Sequence, residues 1–179
     1  MPIYIALLRG VNVGKNILKM DRLRELCAEL KLKNARTLLQ SGNIVFEAQA
    51  TAAHWTETLE RKLAGETRLP VSVIVRTAAE FAKVVAGNPF LKEKGLDPAR
   101  LYVTFLQRAP AKSAFEGLRS LNAGADRFKC VGKEIFLHYL CASYHETKLT
   151  NNAFEKVLAV RATTRNWNTV NKLHEMSAE

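Results

Sequence analysis

Tyr4 to Leu8 is apolar at every position, so both faces of the strand it predicts are suited to burial. After the polar stretch from Gly10 to Lys19, Met20, Leu23, Leu26, Cys27 and Leu30 recur at helical spacing. Asp21 stands in the first turn of that helix, where a negative charge suits the dipole. Ala35 to Leu39 predicts a short strand, Gln40-Ser41-Gly42-Asn43 a turn, and Ile44 to Glu47 a returning strand. Thr51 is placed to cap a helix whose apolar stripe is Trp55, Leu59 and Leu63; Pro70 ends it, and Val71 to Val75 is rich in β-branched residues. The succession over residues 2–76 is therefore β-α-β-β-α-β, the ferredoxin-like pattern.

The second half reads less regularly. Thr77-x-x-Glu80 is a capping box opening a helix with Phe81, Val84 and Val85 inside, and Gly87-Asn88-Pro89 stops it. Phe90 to Arg100 reads as a linker and Leu101 to Leu106 as a strand. Ser113-x-x-Glu116 predicts another capping box ahead of Phe115, Leu118 and Leu121. Phe128 to Val131 and Ile135 to His138 flank Gly132-Lys133 as a hairpin. Thr150 caps a short helix bearing Phe154, Val157 and Leu158. The last helix is expected to start near Thr164, capped by Thr163 or Thr164, and to bury Trp167, Val170 and Leu173. No internal repeat is clear enough to claim. The fold expected is α+β: a ferredoxin-like half over residues 1–88, packed with a smaller α+β half over residues 89–179 and sharing one core.

That topology places the loop after the first strand, the start of the first helix and the turn between the second and third strands at one end of the sheet. Arg9, Asn12 and Lys15 are thereby expected near Ser41 and Asn43. Two cations, small polar side chains and free helix N–H groups are the ingredients of an oxyanion site. The competing account is that Arg9 and Asn43 satisfy loop carbonyls and turn N–H groups. Gly10-x-x-x-Gly14 is neither a Walker loop nor a dinucleotide fingerprint. A second unusual stretch, Arg165-Asn166-Trp167-Asn168-Thr169, sets polar residues around one Trp at an expected helix start. Thr163, Arg165 and Asn166 join the anion candidates, against the plainer account that Trp167 is core and its neighbours fasten a terminal helix.

Composition adds limits. The 179 residues are 47% apolar and 25% charged, enough for a real core, and carry a formal net charge of +10. The excess is spread over both halves. One local concentration sets Arg9, Lys15, Lys19, Arg22, Arg24, Lys31, Lys33 and Arg36 against Asp21, Glu25 and Glu29, either a solvated helix face or an anion-facing edge. Nothing approaches the ~18 apolar residues of a membrane span, and no signal peptide is recognisable, so a soluble, cytoplasmic chain is expected. Cys27, Cys130 and Cys141 show no CxxC spacing and read as reduced thiols; no metal and no cofactor is expected. No hydrolase or metalloprotease signature occurs. His145 is the single base candidate, and a Pro2 amine acting as a base is weaker than Pro2 as a sheet-edge residue. Sheet-based RNA stacking is disfavoured, because the first and third strands offer only Tyr4 and Phe46.

Three stretches, Ala6-Leu-Leu-Arg-Gly-Val-Asn-Val-Gly14, Leu38-Leu-Gln-Ser-Gly-Asn-Ile-Val-Phe46 and Lys148 to Lys156 leading into Ala162-Thr-Thr-Arg-Asn-Trp-Asn-Thr-Val-Asn-Lys-Leu173, together resemble the mostly bacterial domain of unknown function 1697. The resemblance runs over nearly the whole chain. It implies a two-part α+β fold with a ferredoxin-like first half and carries no activity across. The family's motif positions fall on Arg9, Gly10, Asn12, Gly14, Ser41, Gly42, Asn43, Thr163, Arg165, Asn166, Trp167 and Asn168. The loop from Gly14 to Met20 is slightly shorter than the family pattern, which loosens the match at Lys15. The function expected is a binding protein for an anionic ligand, with nucleic acid among the candidates. In that reading, alanine at Arg9 or Arg165 weakens binding and leaves the fold intact. The alternatives are a small enzyme acting on a phosphorylated or carboxylated metabolite, and a structural or partner-binding module, such as a homodimer through an open sheet face.

Overall fold

The first strand, β1 (Ile3–Arg9), sends Tyr4, Ala6 and Leu8 to one side, into a cluster with Leu23, Leu26 and Cys27 of α1 (Met20–Glu29) and Leu59 and Leu63 of α2 (Ala52–Thr67). Its other side chains, Ile5 and Leu7, are equally buried. The computed structural model describes residues 1–12, 17–38, 42–67, 70–141 and 146–179. Within them, β2 (Lys33–Leu38), β3 (Asn43–Glu47) and β4 (Ser72–Thr77) join β1 in one sheet, and α3 (Ala78–Ala86) follows. The strand order is β2-β3-β1-β4, and every neighbouring pair is antiparallel.

A 3-10 turn over Pro98–Arg100, capped by the Asp97 carboxylate accepting from Ala99 N at 2.9 Å, leads into the second sheet. Its elements are β5 (Leu101–Leu106), α4 (Ala114–Arg119), β6 (Arg127–Val131), β7 (Glu134–His138), α5 (Asn151–Leu158) and β8 (Ala162–Asn166), and α6 (Trp167–Ala178) ends the chain. The order is β6-β7-β5-β8, again antiparallel throughout. The protein is thus α+β, with two four-stranded antiparallel sheets and six helices among the described residues. The chain divides into two compact units: unit 1 is Met1–Lys83 with Lys172–Glu179, and unit 2 is Val84–Asn171.

The two halves repeat one another. Each runs β-α-β-β-α-β-α, and each sheet has the same strand order. The registers superpose: Ile5 faces Val45 and Arg76, while Val103 faces Phe136 and Arg165. Leu8 N donates to Gly42 O and Leu106 N to Lys133 O, each at 2.8 Å. The sequence hides this repeat because only the strands keep it. Ile3-Tyr-Ile answers Leu101-Tyr-Val, and Val75-Arg-Thr answers Thr164-Arg-Asn, whereas α1 and α2 have 10 and 16 residues against 6 and 8 for α4 and α5.

Several expected caps form. Glu80 N donates to Thr77 Oγ1 at 3.1 Å and Thr77 N to Glu80 Oε2 at 2.9 Å, the reciprocal pair of a capping box. Thr51 and Thr150 accept from His54 N and Ala153 N, each at 3.2 Å. Ser113 gives no such bond. The last helix is corrected: Ala162–Asn166 is a strand, so the helix starts at Trp167, and the residue accepting at its start is Asn166, from Thr169 N at 2.8 Å. The adjacent β-branched Thr163 and Thr164, favourable in strands, were the missed signal.

The central strands of each sheet are buried on both faces, while the outer strands β2 and β6 stay partly exposed. Opposite the helix side lie Ile5, Leu7, Val45 and Ile74 in one sheet and Val103, Phe105 and Phe136 in the other. Among the described residues no helix is long and apolar enough to cross a membrane. The three cysteines are free thiols, and burial pushes Cys27 and Cys130 each up to about 11.

Candidate functional site

The rim expected from sequence is built by two tight backbone approaches. Gly10 has φ +89°, and a Cβ there would stand 3.0 Å from Pro70 O. Gly42 has φ +74°, and a Cβ there would stand 2.7 Å from Val11 Cγ2 and 2.9 Å from Leu8 Cβ. The turn before β3 therefore packs directly on the loop after β1, and glycine is required where they meet. Arg9 closes β1, half-buried and in register with Ser72. Asn12 takes φ +55°, and its Oδ1 accepts from Leu18 N at 2.9 Å, which pins the loop beside the start of α1. Asn43 is fully buried, and its Nδ2 donates to Leu38 O at 2.8 Å. Its amide fastens the β2–β3 turn from inside. Lys15, Ser41 and His145 lie outside the described residues.

α1 starts without help from a side chain. Lys19, at the N-cap, is extended (φ −65°, ψ 144°) and makes no capping bond. Among the described residues no N-cap side chain answers its first-turn N–H groups, which is how a helix start presents positive potential. Much of the nearby positive charge is spoken for. Arg22 pairs with Glu25, Glu29 and Glu66, Arg24 with Asp21, and Arg36 with Glu179. Three of the eight cations of the local concentration read from sequence are thus engaged in surface ion pairs, which solvent screens.

The second stretch lies in β8 and at the start of α6. Arg165 is 7% exposed, and its Nη1 donates to Thr163 Oγ1 at 2.8 Å and to Thr164 O at 2.9 Å. Asn166 caps α6, and Trp167 is buried. Thr164 Oγ1 donates to Asn151 Oδ1 at 2.7 Å and lies 2.7 Å from Thr104 Oγ1. These polar residues are bonded into the sheet and its helix start.

Sequence reasoning missed Arg76. It is 2% exposed, and its Nη1 donates to Val75 O at 3.2 Å. Its register makes it the counterpart of Arg165: each arginine immediately precedes the residue capping the next helix, Thr77 or Asn166. The signal was the paired pattern Val-Arg-Thr and Thr-Arg-Asn, legible only once the repeat is known. Both guanidinium groups make further interactions as well.

His138 in β7 is a third group that the sequence placed in an apolar run. It is 7% exposed, its Nδ1 has no partner, and its ring lies 5.9 Å from that of Phe90. Burial, then the charge of Arg127, lowers its pKa, with Glu93 pulling the other way, Arg100 adding to the lowering and Asp126 opposing it. The folded state holds a neutral imidazole where the unfolded chain takes up a proton. Stability therefore falls as pH drops through the ordinary histidine value of 6.5 and levels off below the folded one. His138→Gln is expected to flatten this part of the curve, read from urea melts between about pH 7 and pH 5; an unchanged slope assigns the dependence elsewhere.

Among the described residues no group of three His, Cys, Asp or Glu side chains is placed to hold a metal ion. Tyr4 and Phe46 are buried in the helix-side core with ring centroids 5.7 Å apart, so neither is a platform for an unstacked base.

A family model described as a protein of unknown function, DUF1697, matches residues 1–136. The fold is similar to that of a solved conserved bacterial protein from Streptococcus pneumoniae, with 24% sequence identity, 98% of each chain covered and a TM-score of 0.78. No curated protein matches the chain.

Proposed function

Because the chain belongs to the DUF1697 family, whose description assigns no activity, its role has to come from its own surfaces, and we propose that it is a binding protein for an anionic ligand. The ligand is phosphate-containing, with nucleic acid included in that class, and the site is the rim where the loop after β1 meets the start of α1. The observation that carries this reading is the uncapped start of α1 pinned beside that loop by the Asn12–Leu18 bond. Free N–H groups at a helix start bind oxyanions without further side-chain help. Arg9 and Lys19 bring cationic side chains to the two ends of the pinned segment. Sequence position adds Lys15 and Ser41 to the same rim. Asn12 and Asn43 act from behind it, one holding the loop and one holding the turn. Thr163, Arg165 and Asn166 are assigned to the stability of the second sheet rather than to this ligand.

The test is a double variant, Arg9→Ala with Lys19→Ala, titrated with tripolyphosphate and with a single-stranded oligonucleotide. Binding is expected to weaken by about tenfold or more, and the oligonucleotide affinity of the parent chain to fall steeply with salt. Parent-like affinity in a double variant that melts normally would remove the rim from consideration.

A further inference from the structure

The repeat marks a place that is filled in one unit and open in the other. In unit 2, the Phe90 ring is fully buried beside His138, with the Arg127 guanidinium and the Lys129 ammonium each 5.1 Å from its centroid. Register assigns the counterparts in unit 1: Glu47 for His138, Arg36 for Lys129, Val45 for Phe136 and Ile3 for Leu101. These four line a pocket of about 390 Å³, together with Asn34 and Glu179. Phe46, whose position also borders it, keeps its ring in the core against Tyr4 and Trp55.

The pocket opens because β2 carries an extra residue. Lys33 pairs with Glu47 and Arg36 with Val45, so the register shifts between them, whereas Arg127 and Lys129 pair evenly with His138 and Phe136. Asn34 takes φ +49° inside this bulge and donates from Nδ2 to Glu47 Oε1 at 2.6 Å. Bulges of this kind re-aim a side chain at a sheet edge. Arg36 donates from Nη1 to the Glu179 carboxylate and from Nη2 to the Met176 carbonyl, while its Nε is buried with no partner. The Arg36 side chain as a whole is 40% exposed, and it borders the open pocket.

We propose that this pocket binds the base of a purine nucleoside or nucleotide, its flat ring taking in unit 1 the place that Phe90 takes in unit 2. Ile3 and Val45 supply apolar wall for the ring. The Arg36 guanidinium supplies a cation against the ring face, as Lys129 and Arg127 do for Phe90. The N–H edge of the base donates to the carboxylates of Glu47 and Glu179. A carboxylate ligand is opposed by those two acids, and a plain hydrocarbon ring offers them no N–H donor. The volume accommodates a bicyclic ring.

Calorimetric titration with guanosine, which has the ring and no phosphate, and with ribose 5-phosphate, which has the phosphate and no ring, tests the assignment. Guanosine is expected to bind and ribose 5-phosphate not to compete with it. Arg36→Gln and Glu47→Gln are each expected to weaken guanosine binding by about tenfold. Glu47→Gln keeps the shape of the pocket and removes only charge, so it decides the matter if Arg36→Gln does not fold. No heat with guanosine at millimolar concentration, displacement by ribose 5-phosphate, or parent-like binding in the folded variants overturns the proposal.

Discussion

Replacing Arg76 with alanine is expected to cost about 3–5 kcal/mol of stability, the scale of emptying a large buried site and leaving its acceptors without a donor. Arg76 lies on β4, an outer strand of its sheet, with Ile5 as its cross-strand neighbour, and only 2% of it reaches solvent. Its stem fills volume that alanine leaves vacant, and its guanidinium answers groups that then lose a donor. Arg165, the counterpart in the other sheet, is expected to behave alike, with Thr163 Oγ1 and Thr164 O as the named losers. Its burial replaces the sequence-based expectation that Arg165→Ala leaves the fold intact. Arg76→Met, which keeps the stem, is expected to recover part of the loss. Denaturant melts of the three variants check this; alanine variants melting within about 1 kcal/mol of the parent would mean that these guanidinium groups are poorly satisfied in the folded chain.

The same two arginines show what the sequence could and could not convey. The first sheet was legible because β1, β3 and β4 are mostly runs of apolar or β-branched residues between clear breakers, while β2 is largely polar, and α1 and α2 carry unbroken helical stripes. The rim was legible as a topological consequence, and Gly42 packed on Val11 shows the two loops meeting. What could not be read was the direction of polar side chains. Asn43 is as polar on paper as any ligand contact, yet its amide turns inward to Leu38 O. Thr163-Thr164-Arg165 read as the start of a helix because a polar run before Trp167 resembles a cap, while in the fold their partners come from β5 and α5, distant in sequence. The repeat was hidden for the same reason. It is conserved in register and hydrogen bonding, and only a few identical side chains in short strands carry it into the sequence. The pocket at Arg36 was invisible, since a bulge of one residue leaves no compositional trace.

Asp126→Ala is expected to be the next most damaging change, at about 2–4 kcal/mol, because one buried carboxylate accepts hydrogen bonds from three separate residues. Asp126 is 6% exposed. Its Oδ1 accepts from Leu140 N at 2.7 Å and Cys141 N at 3.0 Å, and its Oδ2 from the Thr147 hydroxyl at 2.6 Å; Thr147 Oγ1 in turn accepts from Leu149 N at 3.1 Å. The carboxylate thus joins the chain just before β6 to the segment leaving β7 and to the approach to α5. Burial alone raises its pKa, but the Thr147 hydroxyl and the two backbone N–H groups outweigh burial and hold it below the ordinary aspartate value. A carboxyl depressed in the folded state lends stability at every pH above its unfolded value, and that stability is lost as pH falls through the folded one. The parent chain is therefore expected to lose stability below about pH 4, and Asp126→Asn to be less stable at neutral pH yet lose less on acidification. Asparagine keeps one acceptor for Leu140 and Cys141 but turns an N–H₂ toward the Thr147 hydroxyl, so its deficit is expected to be smaller than that of alanine. Melts at pH 7 and at pH 3 separate the cases: an Asp126→Asn chain with the same acid slope as the parent would place the acid sensitivity in other carboxylates, such as Glu29, Glu66 and Glu93, which their Arg and Lys partners also hold low.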